Sequence, residues 1–539
     1  MRTTALFVAL VAVFGWGCGG GGGGSGGQTV FTLTIDIVPA GAGSVSVSPG
    51  KAAYAKGERV TLTPTATGSY GFAHWEGDGK GLANPAVVDI VRDTKVTAVF
   101  GTEHTVGPGG SYDFTSIQSA IDTLTDGDII VVHPDTYNED VDFKGKALTV
   151  RSTAPFTAST VIATIINGTV FFRSMETEDS VVAGFTIKDS AECLNGSSPV
   201  IQANDIAGPG AVGFGVFCMN NSSPWILDNT ISGWTAGTGS GVYCLNFCDA
   251  HIEGNDIFSN YYGVWCDNSD AVLRNNVVET SSAHGIMVES GGTVLAENNT
   301  ISLNKGCGVL GNLARLTLRR NIIGANGTWA SSTSGVNCVQ CDLTLENNLI
   351  VGNQGTAGGG LSCQDVYHGE VSNNTFHTNR ATNGGAIYLV SSSVSFSNCI
   401  FWNDQATIGP EVWAGNSIVA VGYSDVSGGI GGIYNSGGQV RYDSTNFNLD
   451  PLFALPGYWD LNGTPANYTD DVWVNGDYHL KSQRGRWSDL LSNWLVDTVT
   501  SPCIDAGDPA SDYGLEPLPN GGRINVGAYG GIETASKTP

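Results

Sequence analysis

The stretch Gly263-Val-Trp-Cys-Asp-Asn-Ser-Asp-Ala-Val-Leu-Arg-Asn-Asn-Val-Val278 decides how this chain folds, because it is one copy of a repeat. Its opening returns as Gly215-Val-Phe-Cys218, Gly241-Val-Tyr-Cys244, Gly335-Val-Asn-Cys338 and Gly360-Leu-Ser-Cys363, and with valine last as Gly285-Ile-Met-Val288. Its close, an Asn-x-aliphatic step at Asn276, returns at Asn204, Asn229, Asn255, Asn299, Asn321, Asn348, Asn374 and Asn398, at intervals of 21 to 27 residues. Short alternating apolar runs between polar turns carry strand periodicity, and a period of this length stacks like units. Residues 184–401 therefore read as rungs of a parallel β-helix, about 4.8 Å apart along its axis.

Alternation along a strand assigns the faces. Val264 and Cys266 share one side and Trp265 takes the other. Stacking then sets Cys193, Cys218, Cys244 and Cys266 in one interior column, with Cys338 and Cys363 further along. The same alternation turns Phe217, Tyr243 and Trp265 outward on three consecutive rungs. Turn asparagines reach the asparagine of the next rung and satisfy polar groups that the strand ladder leaves free. Two positions before the turn asparagine, Glu253, Arg274, Glu297, Arg319 and Glu346 alternate in sign from rung to rung, which reads as a register-fixing charge column.

With these motifs, residues 103–445 resemble the right-handed parallel β-helix, or pectin-lyase-like, superfamily. The motifs speak to fold and hardly to chemistry. The resemblance implies an all-β solenoid. An amphipathic helix at its entrance (Ile117, Ala120, Ile121 and Leu124 on one face, Thr115 or Ser116 as N-cap) would cover the open end. Upstream, residues 28–102 carry Gly43-Ser-Val, Pro49-Gly-Lys, Gly57-Glu-Arg-Val-Thr-Leu-Thr-Pro, Gly71-Phe, Trp75-Glu-Gly-Asp and Lys95-Val-Thr-Ala-Val-Phe100. This pattern resembles the divergent internalin-type B-repeat, which implies a stalk or adhesion module; His74 and Trp75 read as turn and core residues. Downstream, residues 446–539 lose the repeat and read as a C-terminal capping module.

The net charge of −26, with Lys and Arg totalling only 24, excludes nucleic acid as a partner, since phosphates need a basic footprint. It also favours a neutral glycan over an unbridged polyuronate. Arg2 and an apolar run over residues 5–16 read as an export signal. Gly17-Cys18 before a glycine run resembles a lipoprotein signal, although Gly15 and Trp16 depart from the usual pattern. On that reading Cys18 is lipidated and residues 1–27 are leader and linker; an ordinary signal peptide is the alternative. The chain is then an exported protein, either a lipoprotein at the outer membrane or cell surface or a secreted one. Membrane attachment comes only through the lipid, and the chain acts as a monomer. The ladder cysteines behave as small apolar core residues, with disulfides the main alternative for an exported chain and metal binding, which needs convergent ligands, the lesser one.

Enzymes of the superfamily it resembles use Lys or Arg with Ca²⁺ for β-elimination, or clustered Asp for hydrolysis. The polygalacturonase set is absent, since Ala283 precedes His284-Gly285, and so is the Asp-Pro-His signature of alginate epimerases. Lys305, Arg315 and Arg320 remain as lyase candidates. Asp365, His368 and Glu370 form the other compact polar group, read as solvated loop residues. Asp505, Asp508 and Asp512 offer hard oxygens to Ca²⁺, with turn formation as the alternative; no other cofactor is indicated. The chain reads as a cell-envelope β-helix protein with a surface binding or structural role, carbohydrate or adhesion related. The alternative is a polysaccharide lyase or glycoside hydrolase. For binding, the candidates are Phe217, Tyr243 and Trp265, with cover by a loop or by the N-terminal module as the other explanation of so apolar a stripe.

Overall fold

A computed structural model describes residues 29–210, 212–328, 334–464 and 470–539. The segment expected to be an export leader, with Cys18, lies outside the described residues. Every coil of the solenoid feeds three parallel sheets in turn. The first runs from Ile129–Val132 to Gln439–Tyr442, the second from Asp135–Tyr137 to Asp425–Val426, and the third from Val141–Asp142 to Ile433–Ser436. The second and third sheets hold 13 strands each, and the coils wind right-handed.

Register follows the repeat. In the third sheet Cys193 pairs with Cys218, Cys218 with Cys244 and Cys244 with Cys266. Val288 and Gly311 continue the column to Cys338 and Cys363. All eleven described cysteines are buried free thiols. The Cys266 thiol is pushed well above its ordinary range by its hydrogen bond with Cys244 and by burial, so it stays protonated and inert.

The turn between the first and second sheets carries the asparagine ladder. Asn229 Oδ1 accepts from both the backbone N and the Nδ2 of Asn204, at 3.0 and 3.1 Å, and Asn229 Nδ2 donates to the Ile201 carbonyl at 2.8 Å. The pattern repeats through Asn255, Asn276, Asn299, Asn321, Asn348 and Asn374, all essentially inaccessible to solvent. Asn398 does not extend it. Ser372 pairs with Ser397 and Thr375 with Ile400, which sets Asn398 opposite Asn373 and gives the ladder slot to Cys399. Asn398 takes the left-handed position, φ 53°, held elsewhere by Asn373, Asn347 and Asn298. Asn-Asn pairs at this turn made the two slots look alike in sequence.

A second ladder, between the second and third sheets, escaped the repeat reading. It runs Asn304, Asn326, Asn353 and Asn379 with the same paired donation, and ends on the buried carboxylate of Asp404.

The N-terminal module packs a three-stranded antiparallel sheet (Gly43–Ser48, Glu58–Ala66, Ala86–Ile90) against strands Leu33–Val38, Tyr70–Gly77 and Thr94–Val106. Trp75, Val60, Leu62, Ile90 and Phe100 fill its core. Thr94–Val106 does not stop at the module. Residues 103–106 pair in parallel with Ile129–Val132, so one strand enters both units. The expected helix forms at Ile117–Thr123, with Ser116 Oγ accepting from Ser119 N, and buries Ile117, Ala120 and Ile121 in the solenoid core. No helix among the described residues is long and apolar enough to cross a membrane.

The tail packs on the flank of the solenoid. Phe453, Tyr478, Leu480, Cys503 and Val526 form a core with Leu349, Val351 and Ile400 of the second sheet. Asn347 and Asn373 donate from the turns to tail carbonyls of Ala528, Gly530 and Asn525.

Candidate functional site

The outer face of the third sheet carries one continuous column. Glu192 pairs with Phe217, Phe217 with Tyr243, Tyr243 with Trp265, and Trp265 with Met287. Strand pairing spaces these side chains one rung apart, and the rings turn to lie on one another. Phe217 and Tyr243 stack at 5.6 Å and 23°, Tyr243 and Trp265 at 4.4 Å and 26°. Phe214 packs against both Phe217 and Tyr243, at 5.1 and 4.9 Å, and Tyr262 tilts against Trp265. Tyr243 is consequently 9 % exposed and lends no open face to a ligand. Phe217 and Trp265 are half-buried.

Polar groups edge this stack. Trp265 Nε1 donates to Glu289 Oε1 at 3.0 Å. Burial raises the Glu289 pKa, with Asp267 adding to the rise against the indole bond. Burial and the same two carboxylates push the Tyr243 phenol up to about 12. The stack thus presents ring edges beside hydrogen-bond acceptors.

The same column bears a second stack that the cysteine motif did not flag. After Leu310, Asn337 and Ser362 come Tyr388, Trp413 and Tyr434. Their rings lie 4.5 and 6.2 Å apart, 16° and 25° from parallel. Tyr434 sits on the last strand of the sheet, is 44 % exposed, and has no further rung above it. The signal was present as aliphatic-aromatic-x in Ile387-Tyr-Leu, Val412-Trp-Ala and Ile433-Tyr-Asn, with the cysteine replaced.

The lyase candidates are spread out. Arg315 and Arg320 bracket one strand, Arg315–Arg319, so about 16 Å of backbone separates them. Arg315 meets Asp342 at 3.4 Å in solvent. Arg320 borders a groove with Glu297, Arg319, Glu346, Asn298 and Asn347. Lys305 is exposed on a different turn, with no ion-pair partner among the described residues. His368 and Glu370 lie on an exposed strand face, and Asp365 sits in the preceding turn.

The tail aspartates serve local turns. Asp508 Oδ1 accepts from Ala510 N and Asp512 Oδ1 from Gly514 N, both two residues on, while Asp505 binds the Thr538 hydroxyl. Among the described residues, the only three or more His, Cys, Asp or Glu side chains grouped closely enough to hold a cation together are His74, Glu76 and Asp179. A larger groove, about 640 Å³, lies between the second sheet and the tail. Asp477, Arg486, Asp489 and Tyr529 line it beside Ile322 and Leu349.

Comparison with known proteins adds the following. Residues 172–323 and 214–359 match the family model for a right handed beta helix region, and residues 33–104 match that for the divergent InlB B-repeat domain. Residues 458–507 match a model described as disaggregatase related. No curated protein matches. Among solved structures, pectate lyase Pel9A is similar at 13 % identity and a TM-score of 0.38, over 80 % of this chain and 96 % of that one. The catalytic unit of a GH87 alpha-1,3-glucanase from Streptomyces thermodiastaticus is similar at 14 % and 0.38, over 78 % and 86 %. The A-module of the Azotobacter vinelandii mannuronan C-5 epimerase AlgE6 follows at 12 % and 0.32, over 62 % and 94 %. Likeness of that degree is silent on substrate.

Proposed function

We propose that this β-helix protein with an N-terminal B-repeat module is exported to the cell envelope and binds a neutral glycan along the outer face of its third sheet. The observation that carries the reading is the column itself, two aromatic stacks on one face along the solenoid axis. A polysaccharide chain laid along that axis meets ring edges, the acceptors Glu289 and Asp267, and at the end of the column the open face of Tyr434. Sugar C–H groups pack on such aromatic surface while hydroxyls donate to the acceptors. Acidic flanks repel polyuronates at close range, so neutral chains are preferred. The B-repeat module serves as a stalk, and Cys18 as the lipid attachment.

Affinity electrophoresis against a panel of neutral and uronic polysaccharides tests this. At least one neutral glycan is expected to retard the parent, with Trp265→Ala and Tyr434→Ala each weakening retention severalfold. Unchanged retention in both variants overturns the site, and no retention by any glycan overturns the function.

One observation favours a second reading, a uronate lyase. Arg320 lines one groove together with the carboxylates Glu297 and Glu346. A guanidinium is a permanent cation, which suits neutralising a uronate carboxylate and not abstracting a proton. Ultraviolet absorbance of unsaturated uronates after incubation with the panel tests it.

A further inference from the structure

His74 and Asp179 belong to different units of the chain and meet at their junction. His74 lies on strand Tyr70–Gly77 of the N-terminal module, and Asp179 on the turn before strand Val181–Ala183 of the solenoid. Regular alternation would put Phe72 and His74 on one face. A bulge between them lets Phe72 and Trp75 both enter the module core, ring centroids 5.1 Å apart, and sends His74 and Glu76 to the solenoid side.

The His74 ring is 3 % exposed. Thr149 Oγ1 holds its Nδ1 at 3.3 Å, which fixes the ring and leaves Nε2 to face the carboxylates. Nε2 has no hydrogen-bond partner among the described residues. It stands 3.5 Å from Glu76 Oε1 and 3.7 Å from Asp179 Oδ1, and the three ligand atoms lie within 4.8 Å of one another. A charge-assisted N–H···O bond closes to about 2.7–2.9 Å, so these separations are too long for one. They fit the edge of a coordination tetrahedron instead. With metal–ligand bonds of about 2.1 Å, neighbouring ligands stand roughly 3.4 Å apart.

We propose that His74, Glu76 and Asp179 form a three-ligand site for a divalent transition-metal cation, zinc by class, which ties the B-repeat module to the solenoid. One imidazole with two carboxylates suits zinc over calcium or magnesium, which take oxygen alone. The fourth position opens on the groove bordered by Tyr70, Thr102, Asp126 and Asp128. Glu76 and Asp179 are 31 % and 40 % exposed, which leaves an entry path. Neighbouring contacts keep the two units in register without the metal: Lys80 pairs with Glu178, and Gln202 Oε1 accepts from Leu82 N at 2.7 Å. Two carboxylates beside a buried imidazole otherwise call for a proton on His74. Burial works against that proton, but Asp179 and Glu76 outweigh it and raise the pKa, so protons and metal compete for the site. This inference is independent of the glycan reading.

The test is titration calorimetry of the full-length, tag-free protein with Zn²⁺ alone at pH 7.5, after dialysis against chelator. One equivalent is expected to bind and to raise the unfolding temperature by several degrees. Asp179→Asn and His74→Gln should each weaken binding at least tenfold and abolish that rise. Asp179→Asn keeps the side-chain volume at a part-exposed turn, so it stays informative if the buried His74 variant fails to fold. No Zn²⁺ binding by the parent, or equal binding by parent and Asp179→Asn, overturns the site and leaves the triad a proton-bridged ion pair.

Discussion

Arg274 Nε donates to Glu297 Oε2 at 2.9 Å from one rung to the next, and Arg319, one rung further, holds the same carboxylate from the other side at 3.8 Å. Arg319 also meets Glu346 at 3.0 Å. The pairing Glu253, Arg274, Glu297, Arg319, Glu346 is continuous in the register of the first sheet. Glu253 opens the column without an ion pair within 4 Å among the described residues. Burial raises its pKa, and the amide of Asn275 and the charge of Arg274 offset only part of that.

Charge reversal therefore tests the column more sharply than deletion. Arg274→Ala removes one part-exposed pair and should cost about 0.2–1 kcal/mol. Arg274→Glu lines up three carboxylates on successive rungs and should cost roughly 0.5–1 kcal/mol more, a gap that narrows in high salt. Urea unfolding at low and high ionic strength reads both effects. Equal stability of the two variants would refute the column.

The cysteines give a chemical prediction. The native protein should resist alkylation at all eleven described thiols, and after unfolding without reductant all eleven should label. Mass spectrometry that finds any of Cys193, Cys218, Cys244 or Cys266 in a disulfide would contradict the buried column.

Arg320 occupies the left-handed turn position, φ 55°, that Asn275, Asn298, Asn347 and Asn373 hold on other rungs. A bulky side chain there costs about 1 kcal/mol, and asparagine tolerates the conformation. Arg320→Asn should raise stability by about that amount. If the second functional reading holds, it should also abolish uronate cleavage, so thermal unfolding and the cleavage assay on one variant separate strain kept for function from strain without one.

The parts legible in the sequence were those with a one-rung repeat. The cysteine column, the charge column and the first asparagine ladder each repeat a residue type at one position, and parity alone gives their faces. Parity also turned Phe217, Tyr243 and Trp265 outward, but it does not say how wide rings 4.8 Å apart settle. They stack on one another, and the open face moves to Tyr434. Parity broke at His74, where a bulge adds a residue, and the junction site went unseen. Asn398 misled because Asn-Asn pairs offer two candidates for one slot. The tail lacks a period altogether, so its place against Leu349 and Ile400 rests on contacts distant in sequence.

The last prediction concerns Asp404, where the second asparagine ladder ends. Asn379 donates to Asp404 Oδ1 from both its backbone N and Nδ2, at 2.7 and 2.8 Å, as each asparagine does to the next. Asp404 Oδ2 has no hydrogen-bond partner among the described residues and lies beside Glu411, itself 2 % exposed. Burial raises the Asp404 pKa to about 7, and burial together with Asp404 pushes Glu411 well above the carboxylate range. A carboxyl whose pKa is higher folded than unfolded binds more protons in the native state. Its contribution is complete below the unfolded pKa, near 3.8, and is lost as pH rises to about 7. His284 and His377 are shifted down by burial and titrate in the opposite sense, so only the difference between parent and variant isolates this pair. Asp404→Asn supplies the residue that Asn326, Asn353 and Asn379 supply on earlier rungs, and it removes one of two adjacent acids. At pH 8 the variant should be more stable than the parent by roughly 1–3 kcal/mol, with the gap shrinking toward zero by pH 5. Urea unfolding midpoints at the two pH values decide it. A variant less stable than the parent at pH 8 would mean that the ionised Asp404 is itself bound by the fold, and the ladder would then end on a charge that the structure needs.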